Sequence, residues 1–188
     1  MRIVGGTFKG RALASVGKGD AGAHLRPTTD RTRESLFNIL AGGRFGDPVT
    51  GARVLDLFAG TGALGLEALS RGATHVTFVD DGVKSRALIR RNIEICNVQG
   101  VTKLFRRDAR KLGDCPAAPF TLIFLDPPYG RGLGERALAA ALAGGWIAPG
   151  AVIVWEESAP VTPPEGLTTL DARRYGDTTI TLLTADNA

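Results

Sequence analysis

Cysteine and histidine are nearly absent from this sequence. Cys96 and Cys115 are too few for a disulfide framework, and with His24 and His75 as the only histidines they lack the clustering that a structural zinc site requires. No metal is therefore expected, and this cysteine usage fits a reducing, cytosolic compartment. Long uninterrupted apolar runs are also missing. Residues 137–155 carry no charge, but Gly144-Gly145 and Pro149-Gly150 interrupt them and their first half is mostly alanine. They are expected to form a helix, a turn and a buried strand, with no membrane span. The opening Met1-Arg2-Ile3-Val4-Gly5-Gly6 has no signal-peptide pattern. There is no internal repeat and no low-complexity tract beyond the alanine run.

What is present is a chain of 188 residues with 44% apolar content, the size and composition of one globular domain. Charge is unevenly placed along it. Residues 1–33 carry seven Lys/Arg against two acids, and residues 84–111 nine against two, while residues 34–83 and 112–188 are acidic and the total is +4. Two basic blocks can present a cationic face to a polyanion. Charge alone favours solvated helix faces, and that is the reading given to Arg86, Arg90 and Arg91.

From Arg53 onward, β-branched and apolar runs alternate with helical stretches. Strands are expected at 53–58, 75–80, 103–107, 120–126 and 151–156, and helices at 63–71, 83–95 and 133–143. This order implies an α/β fold with a mostly parallel sheet covered on both faces. Leu167–Arg174 and Thr178–Thr184, separated by Tyr175-Gly176-Asp177, read as a C-terminal antiparallel hairpin. Upstream, Arg2–Val4 and Arg11–Val16 are expected to pair as a small hairpin, followed by a Gly-rich link through Gly22. Asp30 is the candidate N-cap of a helix carrying Leu36, Phe37 and Leu40 on one side. Residues 1–45 thus form an N-terminal extension, and residues 46–188 the main domain.

The first strand runs into a glycine loop, Asp56-Leu57-Phe58-Ala59-Gly60-Thr61-Gly62, and then a helix. Gly60, Gly62 and Gly65 satisfy G-x-G-x-x-G, a pattern that also fits a tight strand-to-helix turn. Asp56 tilts the choice of ligand. A carboxylate there repels the pyrophosphate of a dinucleotide but suits the ammonium and sulfonium of S-adenosylmethionine. Asp80, at the end of the second strand, is then placed to accept both ribose hydroxyls, and Asp108-Ala109 to meet the adenine edge. Asp108 fits equally well as a partner for the neighbouring arginines.

A buried strand also runs directly into Asp126-Pro127-Pro128-Tyr129. Two prolines remove two amide donors and stiffen the backbone, leaving the Asp126 carboxylate and the Pro127 carbonyl as fixed acceptors beside an aromatic ring. Methylation of an exocyclic amine calls for this arrangement: two acceptors on the amine hydrogens favour the pyramidal, nucleophilic nitrogen. A base inside a duplex does not reach such a pocket, so the substrate is expected to be single-stranded, looped or flipped, with Tyr129 stacked on it.

These residues resemble the bacterial small-subunit ribosomal RNA guanine-N2 methyltransferases of the RsmD type, over nearly the whole chain. The resemblance rests on Arg2-Ile3-Val4-Gly5-Gly6 with Lys9-Gly10-Arg11, on Leu25-Arg26-Pro27-Thr28-Thr29-Asp30-Arg31-Thr32-Arg33-Glu34, on the glycine loop and on Asp126-Pro127-Pro128-Tyr129. It implies a Rossmann-like class I methyltransferase with a mostly parallel seven-stranded sheet, S-adenosyl-L-methionine as cofactor, and 16S rRNA of the small ribosomal subunit as partner. Asp126, Pro127, Pro128 and Tyr129 become the catalytic segment. Asp56, Phe58, Ala59, Gly60, Thr61, Gly62, Asp80, Asp108 and Ala109 become the cofactor pocket. Arg2, Lys9, Arg11, Arg26, Arg31 and Arg33 become the RNA contacts, where they would neutralise phosphates. A monomer is expected. The alternative is an amino-methyltransferase acting on adenine N6 of DNA or RNA, although an adenine-DNA enzyme needs a larger target-recognition region than this length leaves.

Overall fold

The computed structural model describes residues 1–17 and 28–187. In chain order the elements are α1 (Asp30–Ala41), β1 (Arg53–Leu57), α2 (Ala63–Ser70), β2 (His75–Val79), α3 (Val83–Cys96), β3 (Thr102–Phe105), β4 (Phe120–Leu125), α4 (Leu133–Ala143), β5 (Ile147–Glu157), β6 (Leu167–Tyr175) and β7 (Thr178–Ala185). Single 3-10 turns, Gln99–Val101 and Ala109–Lys111, flank β3. The seven strands form one sheet in the order β3-β2-β1-β4-β5-β7-β6. β1 to β5 are parallel, and β7 lies antiparallel between β5 and β6. The chain winds outward from β1 through β2 to β3, then restarts on the other side of β1 with β4. That reversal opens a crevice at the carboxyl ends of β1 and β4, where open α/β sheets bind their ligands.

The central strands are apolar on both faces because both faces are covered. Val54, Phe78, Leu122, Phe124 and Val154 pack in one core with Leu36, Phe37 and Leu40 of α1, Leu66 of α2 and Ile89 of α3. Leu55, Leu57, Ile123, Ile153 and Trp155 face a second core with Ala137 and Leu138 of α4. Gly134 makes that packing close, since a Cβ there would stand 2.6 Å from the Trp155 indole.

The N-terminal residues are part of this body. Ile3 and Leu13 are buried in the same core as Val54 and Phe78. The expected hairpin shrinks to a short ladder around the bridge between Arg2 and Ala12, with Ile3 N–H donating to the Arg11 carbonyl and Leu13 N–H to that of Met1. The Gly-rich link through Gly22 lies outside the described residues. α1 is capped by Thr29, one residue earlier than expected: its hydroxyl oxygen accepts from Thr32 N–H at 3.1 Å. Asp30 sits in the first turn and pairs with Arg33.

What fastens this arm is a buried carboxylate absent from the sequence reading. Glu67 of α2 is fully buried and accepts from Val4 N–H, Gly5 N–H, Arg33 Nε and Arg71 Nε at 2.8–3.4 Å. Four donors satisfy it, as burial of a charge demands. Gly6 adopts φ +74 against the end of α2, where a Cβ would lie 1.9 Å from the Ser70 carbonyl oxygen. The Gly5-Gly6 pair is therefore a packing requirement at the seam between arm and α2. The α3 arginines also divide. Arg90 and Arg91 are exposed, but Arg86 is buried and donates to the Asp81 carbonyl, because it stands on the stripe with Ile89 and Ile93.

Candidate active site

The glycine loop is a sharp reversal from β1 into α2. Phe58 takes φ 56, a left-handed conformation costly for a bulky residue, and Gly60 and Gly62 take φ 59 and 79. Asp80 holds this turn: its Oδ2 accepts from Gly60 N–H at 3.0 Å and its Oδ1 from Gly82 N–H at 2.8 Å. From α3, Asn92 ties the Thr61 carbonyl and both backbone groups of Ala14 to the same place. Gly65 permits close approach of α2 to β2, where a Cβ would meet Phe78 and Val76 at 2.6–2.7 Å.

Above the turn lies a cleft of about 1020 Å³, bounded by Asp56, Phe58 to Thr61, Asp80, Lys84, the Asp126 to Tyr129 segment, Thr28 and Arg131. Its volume is at the upper end of ordinary ligand sites, enough for a cofactor and a base together. Four carboxyl groups, Asp56, Asp80, Asp81 and Asp126, border it. That chemistry accepts a cation and hydroxyl donors and opposes a phosphate. Gly62, at the N-cap of α2, offers no side-chain cap, and with Gly65 N–H taken by Asp56 the first-turn amides of Ala63 and Leu64 are the ones placed to meet an anion such as a carboxylate. The residues present therefore fit an adenosyl group carrying an amino-acid end.

Asp56 is buried, and its Oδ2 accepts from Gly65 N–H at 3.1 Å. Burial, opposed by that hydrogen bond, pushes its carboxyl up to about 8, with the Asp80 charge adding to the rise. Before ligand binding this group is thus largely protonated at neutral pH, and a cation placed beside it favours release of the proton. Asp80 is raised too, again chiefly by burial.

Asp126 follows the last residue of β4, and its carboxyl lies well above the usual carboxylate range because of burial and then the charges of Glu156 and Asp56. Leu125 is in register with Trp155, so Asp126, just past the end of β4, lies beside Glu156, which is still within β5. Glu156 Oε1 accepts from the Tyr129 hydroxyl at 2.6 Å and Oε2 from the Thr28 hydroxyl at 3.0 Å; Thr28 also lies 3.5 Å from Asp126 Oδ2. Thr178 Oγ1 is 3.1 Å from the Tyr129 hydroxyl. Burial, then the hydrogen bond to Glu156, makes the Tyr129 phenol harder to ionise.

Several expected positions move. Gly62 does not border the cleft; it caps α2 with Phe78 and Ile89 behind it. Asp108 and Ala109 line a smaller adjoining recess with Phe58 and Asp80. The Asp108 carboxylate is engaged at both oxygens by Arg110, which holds it below its ordinary range, so its firm role is that ion pair. Arg33 is completely buried, with its guanidinium on Glu67, Asp30 and the carbonyls of Arg2 and Thr28. It cannot meet a phosphate, and its role among the RNA contacts is withdrawn. Arg2, Lys9, Arg11 and Arg31 are exposed, although Arg11 also donates to the Ile95 and Cys96 carbonyls at the end of α3. Arg26 lies outside the described residues.

Strand order, glycine turn and the acidic crevice define a Rossmann-like methyltransferase of class I. A family model described as conserved hypothetical protein 95 matches residues 1–184. The chain belongs to that family, the RsmD family. It is 39% identical over 157 residues to Ribosomal RNA small subunit methyltransferase D of Escherichia coli K12, covering 83% of this chain and 74% of that protein. It is 32% identical over 181 residues to the Haemophilus influenzae protein of the same name, covering 94% and 89%. The solved structure of yhhF from Escherichia coli superposes with TM-score 0.82 at 33% identity, over 100% of this chain and 99% of that one.

Proposed function

We propose that the protein transfers the methyl group of S-adenosylmethionine to the exocyclic N2 amine of one guanine in 16S rRNA, within the small ribosomal subunit. The observation that carries this reading is the seating of Asp126-Pro127-Pro128-Tyr129 opposite the glycine turn, in one cleft bordered by four carboxyl groups. The names of the Escherichia coli and Haemophilus influenzae relatives, both reading small-subunit rRNA methylation, support the class of acceptor.

In this reading Asp80 receives the ribose hydroxyls, the start of α2 faces the amino-acid carboxylate, and Asp56 lies on the side of the cationic groups. When bound, the cofactor supplies an electrophilic methyl on sulfur. Asp126 and the Pro127 carbonyl accept the two hydrogens of the target amine, which directs its lone pair toward that methyl. As the nitrogen–carbon bond forms and the carbon–sulfur bond breaks, the nitrogen becomes cationic and Asp126 takes its proton. Tyr129 stacks on the extruded base and fixes its plane. Arg2, Lys9, Arg11 and Arg31 contact phosphates around it, and Arg26 is proposed to join them.

The test is transfer of labelled methyl from S-adenosylmethionine to small subunits lacking the modification, with free 16S rRNA, DNA and bulk protein alongside. Label confined to 16S rRNA is expected. Label in DNA or protein alone overturns the proposed acceptor.

A further inference from the structure

Glu156 has no part in the chemistry above, yet it ties together two of the side chains around Asp126. It is 8% exposed, does not border the cleft, and spends one carboxylate oxygen on each of two hydroxyls that do. One belongs to Tyr129, 27 residues away in sequence, and the other to Thr28, 128 residues away. Thr28 is also within 3.5 Å of Asp126, so a single buried acid links the stacking ring, the arm and the amine acceptor.

We propose that Glu156 is a positioning residue of the methyl-transfer site: by accepting the Tyr129 and Thr28 hydroxyls together, it fixes the ring plane and closes the arm over Asp126. The inference rests on the reading of Asp126 as the amine acceptor. A buried carboxylate that accepts two hydroxyl hydrogens sets direction at both ends, which neither a methyl group nor a carboxamide reproduces. Thr28 then serves as the contact through which the arm reaches the chemistry. Thr178 completes the bracket from β7 by meeting the Tyr129 hydroxyl from the other side.

The arrangement has a second effect, on protons. The charged groups acting on Asp126 are Glu156 and Glu157 of β5 and Asp56 of β1, all acidic, with the Thr28 hydroxyl opposing them. A negative Glu156 makes Asp126 hold its proton more firmly. Asp126 accepts an amine hydrogen only when deprotonated, so activity falls on the acid side, and removal of the Glu156 charge moves that limb to lower pH.

The experiment compares wild type with Glu156→Gln, Thr28→Val and Thr28→Ser. Single-turnover methylation is read against pH, and the Asp126 carboxyl is titrated by carbon-detected NMR without cofactor or RNA. Glu156→Gln is expected to slow the methyl-transfer step roughly tenfold to a hundredfold, the scale of a misplaced reacting group. It should also move both the acid limb and the NMR midpoint of Asp126 to lower pH. Thr28→Val should slow the step with cofactor affinity unchanged, and Thr28→Ser should restore it. An unmoved Asp126 midpoint, or a Thr28→Val enzyme with wild-type rate, overturns the inference while leaving the proposed function in place. Absence of methyl transfer by the wild-type protein overturns both.

Discussion

The two halves of the cleft are built by different means. The half over β1, β2 and α2 is made largely of backbone: glycine dihedrals, helix-start amides and the N–H groups held by Asp80. The half over β4, β5 and β7 is made of side chains from distant parts of the chain, with Thr28 lying 98 residues from Asp126 and 128 from Glu156. A cofactor of constant shape is served by a contiguous turn. An amine that must be aimed at a methyl needs acceptors fixed from several directions, and only tertiary structure assembles them.

The comparison breaks most visibly at Asp126. Asp126→Ala should lower the rate constant for methyl transfer by about a thousandfold, the middle of the range for a lost proton acceptor. Calorimetric S-adenosylmethionine affinity should stay within about twofold of wild type. Comparable losses in both would mean that the halves are not separable.

Glu67 joins the halves, since it stands in α2 and holds the arm that delivers Thr28. Glu67→Ala removes the buried carboxylate from Arg33, Val4 N–H and Gly5 N–H together, leaving Arg33 only the part-exposed Asp30 as a charged partner, and urea unfolding should report a loss of about 3–5 kcal/mol. A loss below about 1 kcal/mol would show that the arm is held by something else.

A subtler effect belongs to Asp56. Its folded carboxyl is pushed up to about 8 against an ordinary value of 3.8, so the native state holds a proton that the unfolded chain has released across this window. Without cofactor, this group therefore makes stability fall as pH rises from about 4 to about 8. A cationic ligand favours the ionised carboxylate. The rise in Tm produced by saturating S-adenosylmethionine should be larger at pH 8 than at pH 6, and Asp56→Asn should flatten that dependence. A rise independent of pH in wild type would contradict the assignment.

The smallest effects concern the exposed cations. Arg31→Gln and Lys9→Gln should each weaken RNA binding modestly and reduce the slope of log affinity against log salt by about one. Cofactor affinity should not move. Unchanged RNA affinity in both variants would remove the arm from the RNA-facing surface.

The sheet and its order of elements were legible because β1 to β5 are short apolar runs separated by helical periods, and strand ends were met within a few residues. The glycine turn and Asp126 to Tyr129 were legible because each is contiguous. Glu156 was not, since in sequence it is one more acid after an apolar run. Its signal lies in register: it is the β5 residue beside Asp126, which stands just past the neighbouring strand. Arg33 misled for a complementary reason. Its place in a basic block says nothing of the helix face it occupies, and it shares the buried stripe of Leu36, Phe37 and Leu40. Asp108 was open between two readings, and the geometry carries both: it pairs with Arg110 and lines the recess beside Phe58 and Asp80.

The central claim is that this cleft delivers a methyl group to a guanine amine in rRNA. Small subunits lacking the modification should be methylated to completion by the purified protein, and their 16S rRNA digested for mass identification of the nucleoside. The account predicts N2-methylguanosine at a single site, with one methyl per subunit. N6-methyladenosine, or methylation spread over many guanines, would contradict it.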